Sequence, residues 1–493
     1  MRAPQPAPQP SRRHFLRAAA TGAVAGPVAL ALPGRAAPAG ADPAFPALAR
    51  GEVLRTTAEA DRPDRLREAA RDVPVAGRSD VLVVGAGPAG IGAALAAART
   101  GASVRLLESA GCLGGVWTAG MLTKIIDGGR KEGVMREILA AMAARGSDVA
   151  RQTKGEIYDP ELMKLVLEEL CAAAGVAIQL HTRLTGAVVD GRNRLSAVFT
   201  ESKSGRQAWL AERFIDCSGD GDLAAHAGCR FDVGINARCE CQPMSLMALL
   251  TGLDPAAVAD YIREVAGEKA KPNLLRLMRD HGIQPSYSGP TLRLLHAGIY
   301  SLMTNHEYGV PAYDAAAITA ATLRARREIH DIVRDLRRIG GPWRDVAVVA
   351  TAEHIGVREG RRIRGRATVT AADISAGRKH ADGVCRVNFG FDVHNVRPGV
   401  MFDGTDEVAE EVRRRRAAGA KPYDIPLGAL IAADVDGLMM AGRCISGDFI
   451  AHSSYRVTGN AVPMGEAAGL ASAVSLRRGQ LPHELAWTDV KPA

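Results

Sequence analysis

The chain has 493 residues, enough for roughly three domains at about 150 residues each. Its 47% hydrophobic and 24% charged residues are values of a globular protein and exclude disorder, collagen and coiled coil. The formal charge of +8 is unevenly spread: residues 1–41 hold Arg2, Arg12, Arg13, Arg17 and Arg35 and no acid, which leaves the remainder near +3 (8 − 5). A weakly charged body with 4% aromatic residues offers no basic stripe and few stacking platforms, so a nucleic-acid partner is excluded. Eight cysteines without regular spacing do not make a disulfide scaffold.

Ser11-Arg12-Arg13-His14-Phe15-Leu16-Arg17 is followed by an apolar, Ala/Gly-rich run from Ala18 to about Leu32, then by Ala37-Pro38-Ala39-Gly40-Ala41. That order of basic, apolar and small residues resembles a twin-arginine export signal, cut after Ala41 or after Ala39. The resemblance implies the twin-arginine export machinery as a partner, passage in the folded state, and a periplasmic or secreted product. The apolar run is too short and too broken by Gly and Pro for a span of about 20 residues, and no later stretch is long enough. Residues 42–78, rich in Ala, Pro, Arg and acids, read as an arm leading into the first strand.

Val81-Leu82-Val83-Val84 is an aliphatic run of the kind buried in a parallel sheet. It passes directly into Gly85-Ala86-Gly87-Pro88-Ala89-Gly90, then into a helix-forming stretch, Ile91–Arg99, that Gly101 ends. A second strand, Ser103–Leu107, finishes at Glu108. In this arrangement Gly85 makes the tight turn, Gly87 lets the backbone approach a pyrophosphate, and Gly90 lets helix pack on strand. The free N–H groups of the helix start face the phosphates. Glu108, eighteen residues after Gly90, is placed to accept from a ribose hydroxyl. The pattern predicts a dinucleotide site and leaves nicotinamide and flavin open.

Further blocks follow: Leu113-Gly114-Gly115, Tyr158-Asp159-Pro160, Asp216 to Ala224, Gly437 to Ser446, and Arg456 to Ala461. With these, spread from residue 79 to about 472, the chain resembles the FAD-dependent oxidoreductases of the glutathione-reductase structural class. The likeness is to the fumarate reductase/succinate dehydrogenase branch, and the flavin part also resembles the flavin-bearing chain of heterodisulfide reductase. The resemblance implies an α/β fold: a discontinuous, Rossmann-like FAD-binding domain (79–233 and 425–493) with an inserted α+β substrate or cap domain (234–424). It implies FAD, held by Gly85, Gly87, Gly90, Glu108, Gly114 and Gly115. Gly219 and Asp220 close over the dinucleotide where the chain leaves the cofactor domain, and Gly442 follows the strand that passes the ribityl chain. Relatives carry an acid after that glycine; here Arg443 stands there, with Asp448 as its replacement. Gly459 and Asn460, before a helix-prone Pro463–Ala473, aim a helix start at the flavin pyrimidine edge, where its positive end favours the anionic reduced flavin.

Candidate catalytic residues are Arg456, His452, His394 and Arg362. In relatives the arginine of the R-x-x-G-N block binds a substrate carboxylate, and Arg456 aligns with it; the other reading is an ion pair with Asp448. His452 reads either as an acid/base or as a surface or capping residue. Arg358-Glu359-Gly360-Arg361-Arg362-Ile363 reads as a buried ion network or as a solvated turn. Alternation along Asp392-Val393-His394-Asn395 puts Asp392 and His394 on one face, as an acid/base pair or as an ordinary polar strand face. Tyr423-Asp424-Ile425-Pro426 is family-like and approaches the substrate side.

Cys112 stands alone before Gly114, without the C-x4-C pair of disulfide reductases. Cys239-x-Cys241 is the only close pair; no C-x2-C-x2-C run provides for an iron–sulfur cluster, and no spacing suits a metal. The reading is an exported FAD-dependent oxidoreductase that moves a hydride between a small polar substrate, hydroxylated or carboxylated, and FAD, with an unspecified electron acceptor. Its rivals are an electron-transfer flavoprotein serving a redox partner and a non-catalytic flavin-binding protein.

Overall fold

Strand β1, Val75–Val84, lies at the middle of the main sheet, with β2 (Val104–Leu107) on one side and β6 (Gly205–Asp216) on the other, both parallel to it. This computed structural model describes residues 68, 70–235, 240–398 and 407–490. The export signal, most of the arm and Cys239 lie outside the described residues. β3 (Ala177–Gln179) extends the sheet beyond β2. β4 (Arg183–Val189) and β5 (Leu195–Ser202) form an antiparallel meander on the first half of β6, and the short strand Leu438–Met440 runs parallel to its second half.

The register matters more than the order. Val84 is level with Leu107 on one side and Asp216 on the other, and Asp216 is level with Met440. With β3, whose Gln179 is level with Leu107, five parallel strands therefore end at one edge, and the chain leaves them at Gly85, Glu108, Leu180, Cys217 and Ala441. Loops at the carboxyl ends of parallel strands are where such sheets bind ligands.

Helix α1, Pro88–Arg99, starts with proline in its first turn, where no N–H is needed, and is buried over nearly its whole length. A helix apolar all round must be sandwiched. Its outer cover is the last long helix, Thr458–Arg477. Small residues let the two backbones touch: a Cβ at Gly92 would overlap the Val462 carbonyl oxygen, and one at Gly469 the Ala93 carbonyl oxygen. This last helix begins earlier than the expected Pro463, so Gly459 and Asn460 sit in its first turn rather than before it. Pro463 lies inside it and removes a helical hydrogen bond to the Gly459 carbonyl.

A second, antiparallel sheet is ordered Ala347–Thr351, Ala248–Thr251, Ile299–Met303, Thr291–His296. It has its own core with the 25-residue helix Ala315–Ile339, which buries Ala321, Ala325, Ile329, Ile332 and Leu336 on one face. Ile363, Val369, Ile374 and Val387 already belong to the first core, so the chain rejoins it well before residue 425. Among the described residues no helix is long and apolar enough to cross a membrane.

Candidate functional site

The glycines of the fingerprint differ in what they touch. Gly85 has φ +93°, and a Cβ there would stand 2.5 Å from the Cys217 carbonyl oxygen. A Cβ at Gly90 would overlap the Gly85 carbonyl oxygen. Both are glycine because of the protein's own packing. Gly87 has ordinary extended backbone, and a Cβ there would meet nothing within 4 Å. Its bareness keeps space open for another molecule at the start of α1. Gly114 donates to the Ala86 carbonyl at 2.8 Å, and a Cβ at Gly115 would reach 3.0 Å from the Gly87 Cα, so the two loops close on each other. Glu108 takes the Ala86 N–H on Oε2 (2.7 Å) and the Ala110 N–H on Oε1 (2.8 Å). Oε1 also accepts from the Ser109 hydroxyl at 3.1 Å, so it is Oε2 that keeps a lone pair for a ribose hydroxyl.

The C-terminal blocks meet this cradle. Gly442, with φ +90°, brings its chain so close to α1 that a Cβ would lie 3.2 Å from that of Ala89. Gly459 donates to the Ile126 carbonyl at 2.9 Å. Gly219 has φ +85° and lies under the Arg443 guanidinium, which pairs with Asp220 at 2.7 Å. Asp220 is thus the counter-ion of Arg443, and its carboxyl is pushed up by burial against that pairing. Asp448, expected at the ribityl chain, caps helix Phe449–Tyr455, accepting from Ala451 N–H at 2.6 Å and from Ala371 N–H at 2.7 Å.

Several buried polar atoms around this cradle have no partner: Trp117 Nε1, both amide atoms of Asn460, Thr458 Oγ1 and Arg443 Nε. Buried polar groups are nearly always satisfied, so such a cluster fits a polar ring system and its sugar-alcohol chain. Tyr158 braces the loop carrying Trp117, donating to the Leu122 carbonyl with the Trp117 carbonyl at 3.3 Å. The residues present therefore fit FAD: the loops of Gly87 and Gly115 at the pyrophosphate, Glu108 at the ribose, and Trp117 and Asn460 at the flavin end.

A second constellation lies beyond the last helix. Arg456 Nη2 donates to the Asp392 carbonyl (3.0 Å) and carboxylate (3.2 Å), with the Gln242 side-chain oxygen at 3.5 Å. His394 Nε2 is 3.3 Å from the same carboxylate, and its backbone N–H donates to Gln242 at 3.0 Å. The His394 ring stands edge-on to His306 at 5.2 Å, and His306 lies over Tyr287 at 4.1 Å with Nδ1 3.2 Å from the Tyr308 hydroxyl. Asp392 keeps 42% of its side-chain surface accessible although protein surrounds it densely, the condition of a group on the wall of a recess.

Burial, then the Arg358 charge, lowers His394 to about 4 and His306 to about 2. For Asp392 burial works upward, but His394 and Arg456 prevail and hold it well below the carboxylate range. At neutral pH the recess contains two neutral imidazoles and one carboxylate.

Arg456 is tied to Asp392 and not to Asp448 through Nη2 alone, and its buried Nε has no partner in the protein. Arg362 is buried against Glu359 and also donates to the Gly234 (2.9 Å) and Gly447 (3.2 Å) carbonyls. Glu359 in turn accepts from the Gln242 N–H at 3.0 Å. His452 is 0% exposed, edge-on to Tyr455 at 5.4 Å. The Arg443 backbone faces its ring without completing a hydrogen bond, and burial, then Arg362 and Arg456, pushes its pKa well down. Tyr423 donates to Ser454 at 3.0 Å and is buried, while Asp424 pairs with Arg386 on the wall of a separate cavity of about 750 Å³. Among the described residues no cluster suits a metal ion. Gln242, Tyr287, His306 and Tyr308 escaped sequence reasoning; only His306 and Tyr308 had a local signal, the polar run Asn305-His306-Glu307-Tyr308.

The sheet edge and cradle define a flavin-dependent enzyme of the α/β class. Residues 80–493 match the FAD dependent oxidoreductase family, and the chain belongs to it: it is an FAD-dependent oxidoreductase with FAD as its cofactor. No curated protein matches the chain. Among solved structures it is similar to a geranylgeranyl bacteriochlorophyll reductase-like protein from Thermoplasma acidophilum (12% identity, 82% of this chain and 80% of that one, TM-score 0.40). It is also similar to a flavin-dependent brominase (13%, 84% and 83%, 0.45) and to p-nitrophenol 4-monooxygenase from Pseudomonas putida (13%, 59% and 70%, 0.36).

Proposed function

We propose that the enzyme oxidises, or in reverse reduces, a small hydroxylated or carboxylated substrate held in the recess of Asp392, His394 and Arg456. The observation that carries this reading is the pairing of a neutral imidazole with an ionised carboxylate on a reachable wall. Bound FAD supplies the two-electron acceptor. Asp392 accepts the Nε2 proton of His394, which leaves the lone pair on Nδ1. An alcohol that loses hydrogen from carbon must also release its hydroxyl proton, and His394 Nδ1 is the group that takes it. Arg456 holds Asp392 from the other side and fixes the pair. The chain blocks support the finer placement in the fumarate reductase-like branch of the glutathione-reductase class. The Arg12-Arg13 segment supports work after twin-arginine export, in the periplasm or outside the cell.

The test begins with a visible spectrum of the purified protein and of the supernatant after acid precipitation, which gives flavin content and attachment. Anaerobic mixing with a panel of hydroxy acids and sugars then reports flavin bleaching. His394→Gln is expected to slow bleaching about 10²–10⁴-fold at unchanged FAD content. Wild-type bleaching rates in the variant would overturn the role. A flavin that no small molecule bleaches but a redox protein reduces rapidly would favour electron transfer instead. For export, Arg12→Lys with Arg13→Lys is expected to retain the protein in the cytoplasm.

A further inference from the structure

Arg358 stands in the same recess, and among the described residues no carboxylate pairs with it. Its Nη1 donates to the Pro243 carbonyl (2.7 Å) and the Ser245 hydroxyl (2.9 Å); its Nη2 reaches only the Met303 sulfur, at 3.9 Å. Neighbouring arginines each have a carboxylate: Arg362 has Glu359, Arg456 has Asp392, and Arg293 has Glu264. Asp392, the nearest acid to act on Arg358, is already shared by Arg456 and His394. Two guanidinium charges and the Lys271 ammonium, 5.9 Å from the centre of the Tyr287 ring, therefore face one carboxylate, and the remaining wall groups, Tyr287, Tyr308, His306 and His394, are neutral at pH 7.

An enclosed charge without a counter-ion is costly, and most groups escape by losing the charge. A guanidinium does not: burial and the Arg456 charge bring Arg358 down only to about 10, so it stays protonated. The recess thus carries uncompensated positive charge. The planar fork of Arg358 matches a carboxylate.

We propose that Arg358 anchors the carboxylate of the substrate, which makes the substrate a small hydroxy-carboxylate with its oxidisable carbon directed to His394. This rests on the recess being the substrate side. It moves to Arg358 the role that family likeness suggests for Arg456.

The test uses the purified holoenzyme, with acetate, glycolate and benzoate as probes, the matching amides as neutral controls, and inorganic phosphate. Thermal shift and flavin difference spectra are read together. At least one carboxylate is expected to raise the Tm saturably and perturb the flavin spectrum, while its amide does neither. Arg358→Met is expected to weaken that carboxylate at least tenfold with FAD content unchanged, and Arg358→Lys to weaken it less. Should the Met variant fail to fold, the Lys variant decides: it keeps the charge but not the fork, and wild-type affinity there would overturn the proposal. So would carboxylates that bind Arg358→Met normally, phosphate binding more tightly than every carboxylate, or no carboxylate binding to the wild type. Carboxylate binding that needs Arg358 but leaves the flavin spectrum and turnover untouched would uphold the anion site and overturn the substrate reading beneath it.

Discussion

Gly465 lies directly against the carbonyl of Ala89, so closely that a Cβ would overlap the oxygen. The contact joins the helix that opens at the nucleotide fingerprint to the helix that ends the cofactor-binding blocks. Gly465→Ala cannot be absorbed by a side-chain shift, because backbone meets backbone. We expect a loss of about 2–4 kcal/mol and poorer FAD retention, since Gly442 and Asn460 ride on the same interface. Urea denaturation and the ratio of flavin to protein absorbance check both.

Gly87 and Gly90 are expected to separate folding from cofactor binding. Gly87→Val sets its Cβ where nothing lies within 4 Å, on compatible backbone, so the protein folds with apo stability lowered only by the poorer helix cap, about 1 kcal/mol. Its FAD affinity falls at least about tenfold, or about 1.4 kcal/mol, as the new methyl groups occupy the phosphate approach. Gly90→Ala drives into the Gly85 carbonyl and lowers the stability of the apoprotein itself. Equal apo stability of the two variants would contradict this division.

Arg443 and Asp220 form a partly enclosed ion pair across Gly219. Arg443→Met leaves the carboxylate without its partner and is expected to cost about 1–3 kcal/mol. Adding Asp220→Leu is expected to recover most of that loss, because an apolar pair replaces a broken ionic one. Strictly additive losses in the double variant would show that the two residues are not coupled.

Acid should destabilise the protein in a definite window. The folded-state pKa of His394, at about 4, lies below its ordinary 6.5. The stability it contributes is therefore complete above 6.5 and is lost as pH falls through 4, up to about 3 kcal/mol in all. His306, at about 2, continues the loss at lower pH, and the depressed Asp392 acts in the same direction. Asp216 opposes them: burial raises it to about 6, so its contribution is present below 3.8 and lost as pH rises through 6. Tm measured from pH 8 to pH 4 is expected to fall, and His394→Gln to flatten that fall between 6.5 and 4. An unchanged slope in the variant would count against the neutral buried imidazole.

The cofactor half was legible because its logic is local. Gly85, Gly87, Gly90 and Glu108 lie within one strand–helix–strand unit, and spacing alone states their roles. Residues 392–394 form no strand, so the expected alternation does not apply there, although His394 Nε2 does meet the Asp392 carboxylate at 3.3 Å. The rest of the recess had no such signal. Gln242, Tyr287 and His306 come from separate loops that meet only in the fold, and the Arg358 block was read without its place in the recess. The helix cap made by Asp448 before Phe449-Ile450-Ala451 was overlooked, because a carboxylate after a glycine was weighed only as a ribityl contact. The pairing of Arg443 with Asp220, 223 positions away, follows from no sequence rule.

The interlock of α1 with the last helix also orders events in time. During synthesis the fingerprint emerges early, but the helix that completes the cradle appears about 370 residues later, from Gly90 to Thr458. A nascent chain can form its first strands and turns yet cannot retain its dinucleotide until translation is nearly finished. Loading is thereby a late, post-translational checkpoint, and chains truncated anywhere before the closing helix are destined to remain colourless.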